Sequence, residues 1–179
     1  AEIISIFQKF GGLEVANLKW NKQRRRPPPA PKIVGFSRFA VTYTYSERGY
    51  LGSSDALIMT VNKAVLFHGV RLFGDANGSQ YKVTLGFKNE SITGTYSSEQ
   101  DKDGACGYDV MLPKPISVKP NEKFTIVATI QGPKSGYGQK GKSSVNVDGT
   151  VVTFQDTSLS TNGTCISSGQ FYKIFLSNS

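Results

Sequence analysis

Apolar and polar positions alternate along this chain in short runs, the period of a pleated strand rather than of a helix. The alternation is strictest from Tyr81 to Lys88, where Tyr81, Val83, Leu85 and Phe87 share one face and Lys82, Thr84, Gly86 and Lys88 the other. That pattern predicts a strand with one wet face. Phe124, Ile126, Ala128 and Ile130 share a face in the run from Glu122 to Gln131, introduced by the turn residues Lys119-Pro120-Asn121-Glu122. From Val65 to Phe73 the run is almost unbroken, which suits a central strand covered on both faces. Phe39 to Tyr45, Ala56 to Asn62 and the terminal Phe171 to Leu176 are further β-rich runs. Val145 to Val147, Asp148-Gly149, then Val151 to Phe154 reads as a tight hairpin, because Asp-Gly tolerates the positive φ angles of a type I′ turn. Roughly ten to twelve strands are expected against about five or six in a typical sheet, so the fold class is all-β, an antiparallel β-sandwich with no substantial helix.

The 179-residue length fits one domain able to bury a core without staples. No run approaches the length of a membrane helix, so no membrane insertion is expected, and the first residues lack a signal-peptide plan. Because the chain starts at Ala1, it reads as a piece of a longer protein. The net charge of +8 would suit a polyanion partner if it were spread out. Instead, seven basic residues and no acid lie between Val15 and Ser46, and the remainder carries fourteen basic and thirteen acidic residues. No nucleic-acid partner is expected for the body of the domain; Arg24, Arg25 and Arg26 keep polyanion binding open as a lesser reading. Arg24 to Pro31, R-R-R-P-P-P-A-P, cannot pair in a sheet and reads as a solvated linker. Residues 1–35 thus form an N-terminal segment, with Glu2 to Phe7 and Leu13 to Leu18 as short strand candidates, and residues 36–179 form the sandwich.

Catalytic chemistry finds no foothold. The single histidine, His68, sits inside an apolar strand and reads as a packed, hydrogen-bonded residue. Asp101-Lys102-Asp103-Gly104 with Asp109 resembles a calcium loop only superficially, since Leu112 stands where an EF-hand needs Glu. Cys106 and Cys165 match no zinc spacing, and a disulfide between them stays open. No catalytic residue, metal or cofactor is therefore expected. The sequence that stands out is Gly132 to Gly141, G-P-K-S-G-Y-G-Q-K-G, which reads as a long loop whose Tyr137 either folds onto the core or serves recognition on a rigid scaffold.

G-S-S-D at Gly52 to Asp55, V-N-K at Val61 to Lys63, G-V-R-L-F-G at Gly69 to Gly74, the Gly132 to Gly141 segment, N-G-T at Asn162 to Thr164 and Gly169-Gln170 together resemble the PHR domain. That domain occurs in the Pam/Highwire family of giant neuronal ubiquitin ligases and in certain BTB-domain adaptors. The order and separation of the motifs match across Phe36 to Leu176. The resemblance implies an antiparallel sandwich acting as a non-catalytic protein-interaction module of a large ubiquitin ligase whose catalytic part lies elsewhere. It also implies an intracellular, cytoplasmic and neuronal setting, in axon or synapse, and a partner or ubiquitination substrate bound through loops at one end. Carried over position by position, those loops hold Ser54 and Asp55, then Gly132, Pro133, Ser135, Tyr137, Gly138, Lys140 and Gly141, then Asn162, Gly163, Thr164, Gly169 and Gln170. Tyr137 is the expected aromatic anchor, and Asp55 and Asn162 the polar organisers or contacts. Phe171-Tyr172 stands where the family often has Ile-Pro. The fragment contains no BTB domain, which favours the giant ligase over the adaptors, and the isolated domain is expected to be monomeric. A competing reading is a secreted carbohydrate-binding sandwich. It would use the sequons at Asn77, Asn89 and Asn162, a Cys106 to Cys165 bridge and exposed aromatics such as Tyr50 or Tyr96.

Overall fold

The computed structural model describes residues 31–179; the strand candidates before residue 20 and all but the last proline of the Arg/Pro run lie outside the described residues. Among the described residues the regular elements are all strands. They are β1 (Val34–Phe36), β2 (Phe39–Arg48), β3 (Ser54–Val61), β4 (Val65–Phe73), β5 (Gln80–Phe87), β6 (Glu90–Ser97), β7 (Glu99–Gln100), β8 (Cys106–Val118), β9 (Phe124–Gln131), β10 (Ser135–Gly141), β11 (Ser144–Val147), β12 (Thr150–Gln155), β13 (Ser168–Gly169) and β14 (Lys173–Asn178). The count exceeds the expected ten to twelve because β7 and β13, two residues each, have too little side-chain pattern to be seen in sequence.

All the pairings are antiparallel. A five-stranded sheet runs β1-β14-β4-β8-β7 and a six-stranded sheet β11-β12-β3-β9-β5-β6. Their inner faces share one core, with Phe67, Val70, Leu72, Tyr108 and Val110 from the first and Leu57, Met59, Tyr81, Leu85 and Phe124 from the second. Phe67 meets Phe124 at a ring-centroid distance of 5.0 Å, and Tyr81 stacks on Tyr108 at 5.0 Å. Such contacts across the two layers make the molecule a sandwich, and each buried aromatic contributes on the order of 1.5 to 3 kcal/mol by burial. As its unbroken apolar run predicts, β4 is central, between β14 and β8. The alternation of β5 and β9 is reproduced residue by residue. The hairpin turns at Asp148 (φ 48) and Gly149 (φ 80), as the Asp-Gly signal requires.

Three features depart from the sequence reading. The segment Gly132 to Gly141 is not one long loop: from Ser135 it is β10, the centre of a small third sheet ordered β13-β10-β2. Its glycines mark close approach. A Cβ at Gly138 would run into the Phe39 ring, and one at Gly141 into the Ile166 carbonyl and the Arg38 guanidinium. β8 was invisible because Pro113 and Pro115 argue against a strand, yet beyond Gly107 its outer margin pairs with no strand among the described residues. Leu112 to Pro115 bulge opposite His68, so neither proline breaks a ladder bond. The last strand starts at Lys173 rather than Phe171, because Phe171 adopts a left-handed backbone (φ 62) that turns the chain before it can pair.

Candidate functional site

Strand registers bring the segments singled out in sequence to one end of the sandwich. Ser54 lies opposite Thr129, next to the end of β9, and Gln155 at the end of β12 lies opposite Ile58. The connections 49–53, 132–134 and 156–167 therefore gather at one rim.

Beneath that rim lies a net of buried polar side chains. Asp55, fully buried, comes inward because it alternates with Ser54 on β3. Its carboxylate accepts hydrogen bonds from Thr164 Oγ1 (2.6 Å) and Asn162 Nδ2 (3.0 Å) and pairs with Arg48 at 3.5 Å. Burial pushes its pKa above the ordinary carboxylate value, although Thr164, Asn162 and Arg48 pull the other way. Thr164 Oγ1 also accepts the Gln170 N–H at 2.8 Å. The Gln170 side chain, fully buried, takes the Phe73 N–H on Oε1 (2.8 Å) and donates through Nε2 to Tyr50 Oη (2.5 Å) and Ser135 Oγ (3.0 Å). The Ser135 hydroxyl donates to the Gly136 carbonyl at 2.8 Å, so it accepts from Tyr50 at 2.5 Å. Arg38, buried, donates to the carbonyls of Ile166 and Gln170. Burial lowers its pKa to about 10 against the opposing pull of Cys165 and Asp156. Low local dielectric makes such a net stiff when satisfied and expensive when cut.

Of the residues expected at the site, Asp55, Ser135, Gly138, Thr164, Gly169 and Gln170 are buried in or beside this net, and so organise the end rather than cover it. Ser54 is half-buried and ties two connections together. Its Oγ donates to the Leu159 carbonyl at 2.6 Å, and its own carbonyl takes the N–H groups of Thr161 and Asn162, each at 2.9 Å. Tyr137 is half-buried in β10, with Gln139 Nε2 donating to its hydroxyl at 3.4 Å. Gly132, Pro133, Lys140 and Gly163 are exposed, and Gly141 and Asn162 partly so. Two rim residues went unnoticed in sequence: Leu51, 96% exposed, and Leu159, 53% exposed. Nothing in the chain marks them, because an exposed leucine is visible only once the core has been filled by others. Arg38, Arg48 and Tyr50 were likewise missed as members of the net, since their partners are more than a hundred residues away or reached through a turn.

Elsewhere the candidate chemistry is spent on structure. His68 Nε2 hydrogen-bonds Ser177 Oγ at 2.8 Å, and burial lowers its pKa. Asp101 closes its own turn by accepting the N–H groups of Asp103 (2.9 Å) and Ala105 (3.0 Å). Lys173 bridges Asp101 (2.7 Å) and Asp103 (2.9 Å), while Arg71 pairs with Asp109 at 2.8 Å. Burial alone would raise the Asp101 pKa, but the bonds from Lys173 and the two N–H groups outweigh it and hold it below the ordinary value. The same bonds raise Lys173 against the opposite effect of burial. The bridge of the carbohydrate-binding reading is absent: Cys106 and Cys165 are both free thiols. Its aromatics are committed too, Tyr50 to the buried net and Tyr96 to a stack on Tyr108 at 5.9 Å, and the Asn162 amide nitrogen points at Asp55.

A family model described as the PHR domain matches residues 37–177. BTB/POZ domain-containing protein 6-B of Danio rerio is 28% identical over 173 residues, covering 94% of this chain and 36% of that protein. BTB/POZ domain-containing protein 3 of Homo sapiens is 30% identical over 132 residues, covering 72% of this chain and 25% of that protein. The chain thus spans between a quarter and just over a third of the length of these curated relatives.

Proposed function

The chain belongs to the PHR domain family, and from that premise we propose that it is the non-catalytic protein-interaction module of a large intracellular ubiquitin ligase. It binds a partner or substrate protein at the rim formed by connections 49–53, 132–134 and 156–163, and works in the cytoplasm of neurons, at axon or synapse. The transfer chemistry of the parent protein resides outside this domain. The observation that carries the reading is the division of labour at one end of the fold. A closely hydrogen-bonded polar net holds the loop bases, while Leu51 and Leu159 stand in solvent above it. Exposed apolar side chains on a preorganised frame suit protein recognition, because little ordering entropy is lost on binding.

The test is affinity capture from neuronal lysate with the wild-type chain, Leu51→Asp and Tyr137→Ala, read by quantitative mass spectrometry. Leu51→Asp changes a solvated position and should leave stability within about 0.5 kcal/mol, yet strip ubiquitin-pathway substrates or partners from the captured set. Identical captured sets for all three proteins would end the reading. Unfolding of Tyr137→Ala would move that residue from the rim to the frame.

A further inference from the structure

The six-stranded sheet ends in β6, which pairs with β5 without interruption from Gln80↔Ser97 to Phe87↔Glu90 and, among the described residues, has no strand on its other side. An outer strand shows a row of N–H and C=O groups with no protein partner, and folds normally blunt such margins with short strands, prolines or lysines. The remaining margins of the two large sheets follow that rule. β1 has three residues, β7 two and β11 four, and the unpaired margin of β8 carries Pro113, Lys114 and Pro115. β6 has none of these guards: eight residues, E-S-I-T-G-T-Y-S, regular in register, without proline or lysine.

Its side chains define what fits beside it. On the solvent face stand Ser91, Thr93, Thr95 and Ser97, and Thr93 already makes a cross-strand hydroxyl bond to Thr84 at 2.9 Å. On the inner face Ile92 and Tyr96 pack partly buried against the core. Glu90 opens the strand exposed, and Glu99, 75% exposed in its side chain, lies just past its end. We propose that β6 accepts an extended segment of a partner protein as an added antiparallel strand. That segment alternates hydroxyl or β-branched residues with an apolar residue beside Ile92, and it carries a basic residue opposite Glu90. Main-chain bonds supply the affinity and the alternate side chains the selectivity. A second copy of this chain does not fit the charge pattern, because β6 pairing with itself brings no basic residue opposite Glu90. The surface runs down the side of the sandwich and goes beyond the rim proposed above.

The test selects a phage-displayed random dodecapeptide library on the full chain, then maps the synthesised winners by amide hydrogen exchange. Winners should alternate with a period of two, end in Lys or Arg, and slow exchange in residues 90–97 rather than in 49–53 or 156–163. Thr93→Pro and Gly94→Pro are compared as a pair, because neighbouring residues point their N–H groups to opposite sides. The variant that keeps the wild-type melting temperature has lost an outward donor rather than a ladder donor, and it should bind the winners at least about tenfold more weakly. If both proline variants unfold, Glu90→Lys serves instead and should weaken basic-ended peptides several-fold. Winners that protect only the rim, a library without enrichment, Glu90→Lys binding unchanged, or protection of β6 through concentration-dependent self-association would each overturn the proposal.

Discussion

Replacing Asp55 by alanine cuts the net at its buried carboxylate. The carboxylate is fully buried, receives Thr164 Oγ1 and Asn162 Nδ2, and pairs with Arg48. Hydrogen bonds to a charged group contribute about 1.5 to 3 kcal/mol each, and a buried donor left without an acceptor costs a similar amount. Not all of this is lost. Asn162 is only partly buried and can turn to water, Arg48 keeps the Asn162 carbonyl, and removing an ionised carboxylate that burial disfavours returns its desolvation cost. The net loss should be about 3 kcal/mol, dominated by Thr164, whose hydroxyl has no solvent to turn to. In a domain of this size that corresponds to a fall in melting temperature of about 6 to 12 °C. Urea unfolding with an unchanged slope measures it, and amide exchange at Thr161 and Asn162, both bonded to the Ser54 carbonyl, reports whether the rim loosens first. A double-mutant cycle with Thr164→Val should return a coupling of about 1 kcal/mol or more. A loss under about 1 kcal/mol, or a cycle with no coupling, would refute the claim that this net holds the rim.

Gly141→Ala drives a Cβ into the backbone carbonyl of Ile166, which cannot swing aside, so a loss of about 2 to 4 kcal/mol in urea unfolding is expected; a loss under about 0.5 kcal/mol would show that β10 and the 156–167 connection are not closely packed. Asp101 has a lowered pKa and Lys173 a raised one. Their contribution is therefore complete between about pH 5 and pH 9, and is lost as the pH falls through the depressed Asp101 value or rises through the elevated Lys173 value. The stability difference between wild type and Lys173→Met should be flat across that window and shrink below about pH 4, and a difference that grows in acid would contradict the pairing. Cys165 is half-buried with hydroxyls of Ser167 (3.2 Å) and Ser168 (3.5 Å) at its sulfur, and although burial opposes it, these bonds lower its pKa; Cys106 is buried and burial raises its pKa. Native alkylation by iodoacetamide should label Cys165 well before Cys106, with two thiols titrating after unfolding without reductant.

The period-two signal carries a long way in this chain. β5, β9, the β11 to β12 hairpin and the centrality of β4 all follow from where apolar residues stand, because a strand with one dry face has no other way to distribute them. The signal fails where burial is not the organising force. β6 is an outer strand of hydroxyl residues with little to bury, and β8 hides behind prolines that only an unpaired margin and a bulge make harmless. β10 is the instructive failure: Ser135, Gly136 and Gly138 are buried, but with almost no side chain to show it. Their glycines read as freedom of the chain, whereas at Gly138 and Gly141 they make room for Phe39 and for the Ile166 carbonyl. The site shows the same limit. That Asp55, Asn162, Thr164 and Gln170 belong together was legible from shared motifs, but whether each faces a partner or the interior depends on bonds between residues about a hundred positions apart.

That distinction bears on what the family resemblance can say about recognition. The motif residues Asp55, Ser135, Thr164 and Gln170 bond to one another and to the backbone of Phe73 and Gly136, so their chemistry is consumed inside the domain. A relative that keeps these residues keeps the frame, because each is held by the others and a change at one strands its neighbour. The frame fixes where the connections start and end, and leaves open what they display. On the two readings proposed above, selectivity would fall to positions the motifs do not contain, Leu51 and Leu159 on the rim and the uncharged hydroxyl row along β6. Shared motifs accordingly argue for a shared way of presenting loops, and two members of the family with identical frames can still bind unrelated proteins.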